Sequence, residues 1–428
     1  MTQQADQADA KHYLVRLIAV VLTGILAGIA GMLLALILHA IQHLAFGYSI
    51  DQLVGSETFL EGVTDASHLR RVAAILWRRG RRRVWLVAAG ALRQEKSVYC
   101  CSRCQSCRAN ADGTTTIHAL LQSSPSRWVH RSGVKSPSRN GRAGAGILAR
   151  KFSLQPDETR TLIACGAGAG LAAVYNVPLA GALFTLEVLL ISFSWEKALA
   201  AVITSAVAAW VATLGLGDES QYHFASFTLP HAFIGWAIVA SPLLGYAAWL
   251  FRKATTRVRT QVKTNWQMPV FCLLAFALLA ALSLWFPQLP GNGKGPMQLA
   301  ISNGLNFNFA AILLALKMLV ILAVLRGGAE GGLLTPGLTV GALLSLLLAV
   351  VWQFVFPGGD VGSFALVGGA AFLAASMQMP ITAVALVMEF THMDHSYFAL
   401  RCCVPQEPIR PAGFWIRSTG TNLFSGKR

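Results

Sequence analysis

The chain has 428 residues, of which 54% are hydrophobic and 13% charged, and its mean hydropathy is +0.54. That balance excludes an ordinary soluble metalloenzyme and describes a polytopic membrane protein. The formal charge of +16 raises nucleic acid as a partner, but many basic residues border apolar segments, where positive-inside anchoring places them, so no nucleic acid is expected.

After a polar leader, the run from Tyr13 to Phe46 is apolar almost throughout. It exceeds the roughly 20 residues that cross a bilayer and predicts one long, tilted helix. No small-residue cleavage site follows a short apolar core, so no removable signal peptide is expected. Further spans are predicted at 161–192, 196–216, 230–251, 268–287, 307–325, 336–356 and 362–390. Several are broken by Gly or Pro, which lipid tolerates only where the freed backbone groups are buried in protein or line a polar cavity, so the interrupted helices point to a transport pathway.

Residues 66–146 stand apart. The segment opens on Arg70, Arg71, Arg78, Arg79, Arg81, Arg82 and Arg83, then places Cys100, Cys101, Cys104 and Cys107 within Tyr99–Arg108. The tail after Leu400 is again polar. The remaining cysteines, Cys165, Cys272, Cys402 and Cys403, do not form the spacing of a secreted disulfide framework.

An internal repeat organises the apolar part. Gly166–Glu187 lies over Gly368–Glu389 without a gap, sharing a leading Gly, Leu-Ala-Ala, a proline (Pro178 and Pro380) and a terminal Glu (Glu187 and Glu389). Repeated halves with a binding site at their interface are the usual architecture of secondary transporters and related channels. A second motif, Gly331-Gly332-Leu333-Leu334-Thr335-Pro336, brackets the start of an apolar helix with two glycines and a proline. First-turn N–H groups there have no intrahelical partner and can hold an anion without a full cationic charge. Taken singly, the stretch also reads as an ordinary Gly-rich helix entry.

These residues resemble the CLC family of chloride channels and proton-coupled chloride transporters. The resemblance rests on Gly170–Glu187, Gly291-Asn292-Gly293, Gly331–Ala342 and Met379-Pro380 through Glu389-Phe390-Thr391. It implies an all-α fold of two inverted repeats of broken, tilted transmembrane helices, and a homodimer in the bacterial inner membrane that passes chloride or similar anions. It further implies no catalytic residues, no cofactor and no resident metal. By resemblance, the anion is held by backbone amides at Leu333 and Leu334; the family usually has Phe where this chain has Leu334, but the donors are backbone groups. The acid that delivers protons in the family's exchangers falls where this chain has Val188, which favours channel-like conduction over proton/chloride antiport. Glu187 and Glu389 read as structural. The family's Gly-Ser-Gly-x-Pro element, its gating Gly-Arg-Glu-Gly-Pro and its late chloride-coordinating Tyr cannot be read in this chain.

Three readings compete for the cysteine cluster. Cys101, Cys104 and Cys107 have the spacing of iron–sulfur or zinc ligands, with His118 and His130 as poorly spaced partners. A cysteine-rich loop is the second. The third is a shifted reading frame: every Cys codon begins with T-G, so one step out of phase each cysteine becomes Leu, Met or Val. In that frame Arg127–Ser136 permits Val-Gly-Ala-Pro-Val-Gly-Arg-Glu-Val, which contains the Gly-Arg-Glu of the missing gate element. Residues 97–145 are on this reading out of frame, with the family frame resuming near Ile147, and the chain is then ungated or inactive. The reading from another class is a membrane-tethered metal- or nucleic-acid-binding protein that uses the Arg/Cys segment.

Overall fold

The computed structural model describes residues 2–47, 59–76, 135–218, 221–222, 232–262, 267–328 and 332–391. Among these, every regular element is helical. The cysteine cluster, His118, His130, Gly331, the tail after Leu400 and most of the stretch expected to be out of frame lie outside them.

Helix α1 runs Thr2–Phe46, so the expected polar leader continues the apolar helix instead of preceding it. Two short helices follow, α2 (Phe59–Asp65) and α3 (His68–Leu76). Although α3 falls within the segment set apart by composition, Arg71 is buried and donates to the Ala66, Thr64 and Ser283 carbonyls. One guanidinium thereby ties α3 to α9 (Gln267–Trp285). Its neighbour Arg70 donates to the Leu44 and Ala45 carbonyls at the end of α1.

The first repeat comprises α4 (Lys135–Lys151), α5 (Pro156–Tyr175), α6 (Pro178–Phe184) with a π-helical turn at Thr185–Leu190, and α7 (Trp195–Leu216). Small residues let these helices approach closely, as apolar surface alone gives helices no reason to associate in lipid. A Cβ at Gly24 or Gly28 of α1 would come within 2.9 or 2.8 Å of the Thr204 or Ala208 carbonyl of α7. Gly141 of α4 and Gly166 of α5 meet so closely that a Cβ on either would strike the other's carbonyl.

The second half contains α8 (Ala232–Thr260), α9, α10 (Lys294–Ile301), α11 (Phe307–Arg326), α12 (Leu334–Gln353), α13 (Val361–Met377) and α14 (Pro380–Thr391). Among the described residues, five helices are long and apolar enough to cross a membrane, and α6 with its π turn, α9, α13 and α14 are shorter apolar helices. The largest core cluster joins α5, α6, α9 and α11 to α14, with Leu171, Val177, Leu279, Leu313, Leu334, Leu338, Leu373 and Leu386 all buried.

The breaks expected in several spans are found at 161–192 and 362–390, each of which is two helices, interrupted at the same point of the repeat. Asn176 (φ 53°) and Gln378 (φ 57°) are left-handed, and the N–H groups of Asn176 and Val177 return to the Ala172 carbonyl, as those of Gln378 and Met379 do to Ala374. A left-handed residue followed closely by proline ends one helix and starts the next. Hydropathy averages over such a break, because both halves are equally apolar.

Candidate functional site

The helices α6, α12 and α14 each carry a proline in the first turn, and each has first-turn N–H groups that lipid cannot satisfy. At α6, Glu389 reaches across from the second repeat, its Oε1 accepting from Leu179 N–H at 2.8 Å and its Oε2 from Ala180 N–H at 2.7 Å. At α14 the relation is reversed. Glu187 accepts from Ile381 N–H at 3.2 Å, and its other oxygen accepts from Thr382 N–H at 2.8 Å and from the Thr382 hydroxyl at 2.6 Å. Each repeat therefore ends in the carboxylate that closes the helix start of the other. The negative charge also opposes the positive end of the helix dipole.

At α12, among the described residues, no side chain accepts from the first-turn N–H groups. Leu333 occupies the cap position with φ −103° and ψ 2°, and its aliphatic side chain has nothing to offer an N–H. Leu334 and Thr335 are each 5% exposed, and Pro336 has no N–H to give. The sequence placed Leu333, Leu334, Thr335 and Pro336 at a helix entry, and they are there; Gly332 immediately precedes them, while Gly331 is outside the described residues.

A hydrogen-bonded brace holds this entry. Lys317 of α11 is 1% exposed, and its Nζ donates to the Leu289 carbonyl at 2.9 Å and the Gly291 carbonyl at 3.3 Å. The same loop ends at Gly293, whose carbonyl accepts from the Thr339 hydroxyl at 2.9 Å; that hydroxyl lies 3.0 Å from the Thr335 carbonyl as well. Gly291 and Gly293 sit at φ +85° and +98°, and a Cβ at Gly293 would strike Thr339. The Gly-Asn-Gly motif is thus the turn that lets a loop pass between a buried lysine and the first turns of α12.

Sequence reading missed Lys317 and Thr339. The signal for Lys317 was present, as a lone cation inside the apolar run Phe307–Leu325 is by default a functional candidate. Val188 lies half-buried in the π-helical turn and packs against the main core. Among the described residues, no group of three or more His, Cys, Asp or Glu side chains could hold a metal ion.

The fold and this constellation define a class: a polytopic helical membrane protein of two inverted repeats, with broken helices meeting inside the bilayer. The family model described as voltage gated chloride channel matches residues 133–404. The chain belongs to that family. The match starts ahead of Ile147, where the family frame was expected to resume, and includes the Gly141 crossing.

Among the relatives is the voltage-gated ClC-type chloride channel ClcB of Salmonella dublin, 32% identical over 277 residues and matched over 60% of this chain and 65% of its own length. The chain therefore spans just under two thirds of that relative. The H(+)/Cl(-) exchange transporter ClcA of Cronobacter sakazakii is 28% identical over 407 residues, or 86% of this chain and 80% of that protein. In fold, the chain is similar to a slow cyanobacterial Cl-/H+ antiporter (TM-score 0.68, 18% identity, 92% of this chain and 93% of that one).

Proposed function

We propose that the chain moves chloride or similar small anions across the bilayer and that the α12 entry is where the anion is held. The observation that carries this reading is the contrast between helix starts: those of α6 and α14 are closed by Glu389 and Glu187, whereas that of α12 is buried and uncapped. A carboxylate in either of the first two places is a built-in anion, and α12 presents the same type of donors to a mobile one. Backbone amides suit transport because binding has to be weak enough for release.

Proton-coupled exchange is better supported than the channel-like conduction expected from Val188, because the relatives matched over most of this chain include one named as an H(+)/Cl(-) exchange transporter. Passive conduction is the second reading, and the aliphatic side chain of Val188 is the observation that favours it. The proposal further includes a homodimer in the bacterial inner membrane that uses no cofactor beyond the transported ion.

The test is chloride efflux from liposomes holding the full chain, with internal pH followed at the same time. Chloride movement driving proton movement is the expected result; chloride flux without proton flux selects the passive reading. Replacing residue 334 by its α-hydroxy acid exchanges one N–H for an ester oxygen, and a hydrogen bond to a charged partner contributes about 1.5–3 kcal/mol, so chloride affinity falls roughly tenfold to a hundredfold. Folded protein that carries stoichiometric zinc and moves no anion overturns the proposal.

A further inference from the structure

We infer that the hydroxyl of Tyr175 is a side-chain ligand for the anion at the α12 entry, an inference that rests on the reading of that entry as the anion site. Tyr175 is the last residue of α5 and is 9% exposed. Its ring packs against Phe390 of α14 with centroids 5.5 Å apart, and Phe390 in turn packs against Tyr222 at 5.7 Å. The hydroxyl is buried beside the Thr335 side chain, in the first turn of α12, and makes no hydrogen bond of full geometry. Tyr175, Leu334 and Phe390 belong to one buried cluster.

A buried hydroxyl without a partner is rare, because it gives up water and gains nothing in return. Tyrosine is placed in a core where its O–H can reach a partner. Here Thr335 beside it belongs to a helix entry whose first-turn N–H groups have no side-chain acceptor among the described residues. Two kinds of unmet donor, backbone amide and phenol, therefore meet at one buried place, and a single acceptor satisfies both. The fitting ligand is a small monovalent anion of halide size, since every group offered is a neutral donor and no cation is needed. The aromatic ring supplies the position: its packing on Phe390, directly after Glu389, fixes the phenol relative to the clasp between the repeats.

The experiment titrates chloride into the purified full chain by calorimetry and compares the native protein with Tyr175→Phe and with the ester at residue 334. Tyr175→Phe retains the ring and its packing, so the melting temperature is expected to stay within a few degrees while chloride affinity falls roughly tenfold to a hundredfold. In the native protein, chloride is expected to shift the infrared band of a buried tyrosine hydroxyl, and that shift is absent in Tyr175→Phe. If the ester weakens binding and Tyr175→Phe does not, the tyrosine assignment is overturned and the helix-entry site stands. If neither change weakens binding, the anion sits elsewhere and both readings fail. Should Tyr175→Phe not fold, the infrared measurement on the native protein decides: no chloride-dependent shift overturns the assignment.

Discussion

The starts of α6 and α12 have the same local problem and opposite solutions. Both expose N–H groups in an apolar interior, and both have proline in the first turn. At α6 a carboxylate from the other repeat is covalently part of the chain and always present. At α12 no side chain among the described residues accepts from the first turn, and Lys317, Gly293 and Thr339 brace the entry from behind. A helix start closed by the chain's own carboxylate is a joint; the one left open and braced from behind is where we propose the anion binds.

The largest expected effect comes from opening a closed start. Glu389→Ala leaves the Leu179 and Ala180 N–H groups without an acceptor and is expected to cost about 3 kcal/mol. Glu187→Ala should cost slightly more, since Thr382 also loses its hydroxyl partner. Thermal unfolding in detergent, followed by circular dichroism, measures both. Equal stability of Glu389→Ala and the native chain would remove the distinction between closed and open starts.

Removing the brace comes next. Lys317→Met strands two loop carbonyls and is expected to cost about 2 kcal/mol and to weaken chloride binding, because the Gly291–Gly293 loop no longer fixes Thr339. Lys317→Arg, which retains charge and donors, is expected to restore binding in part. Gly141→Ala places a methyl against the Gly166 carbonyl and should destabilise by about 1–3 kcal/mol through overpacking, leaving the chloride affinity of folded protein unchanged.

The smallest effect separates the two repeat breaks. Gln378→Gly relieves a left-handed non-glycine residue and is expected to stabilise by roughly 0.5 kcal/mol. Asn176→Gly relieves the same strain but loses the 2.6 Å bond from Asn176 to Asp218, so its net change should be near zero. The melting temperatures of the two variants measure the difference.

Much of the bundle was legible before any coordinates. Sustained apolar runs gave α1, α7, α8, α9, α11 and α12, since crossing a membrane leaves a compositional mark. The register of Gly166–Glu187 over Gly368–Glu389 gave the repeat, and the structure reproduces it down to the left-handed Asn176 and Gln378. The helix breaks inside both long spans were not legible as boundaries, as hydropathy is indifferent to a reversal of backbone handedness. The functional weight of Glu187 and Glu389 was read as structural without a partner being named. The partner is two hundred residues away in the chain and one hydrogen bond away in space.

The sequence by itself determined that this protein lives in a membrane, that its two halves share a plan and that one Gly-rich stretch opens an apolar helix. Each of these is a local or periodic property, written in which residues follow one another. Only the tertiary structure decided which helix starts are closed and which is open, that a buried lysine braces the open one, and that a tyrosine hydroxyl ends beside it. Those outcomes depend on side chains meeting across the repeat interface, and a hydrogen bond has a length and a direction that no linear pattern specifies.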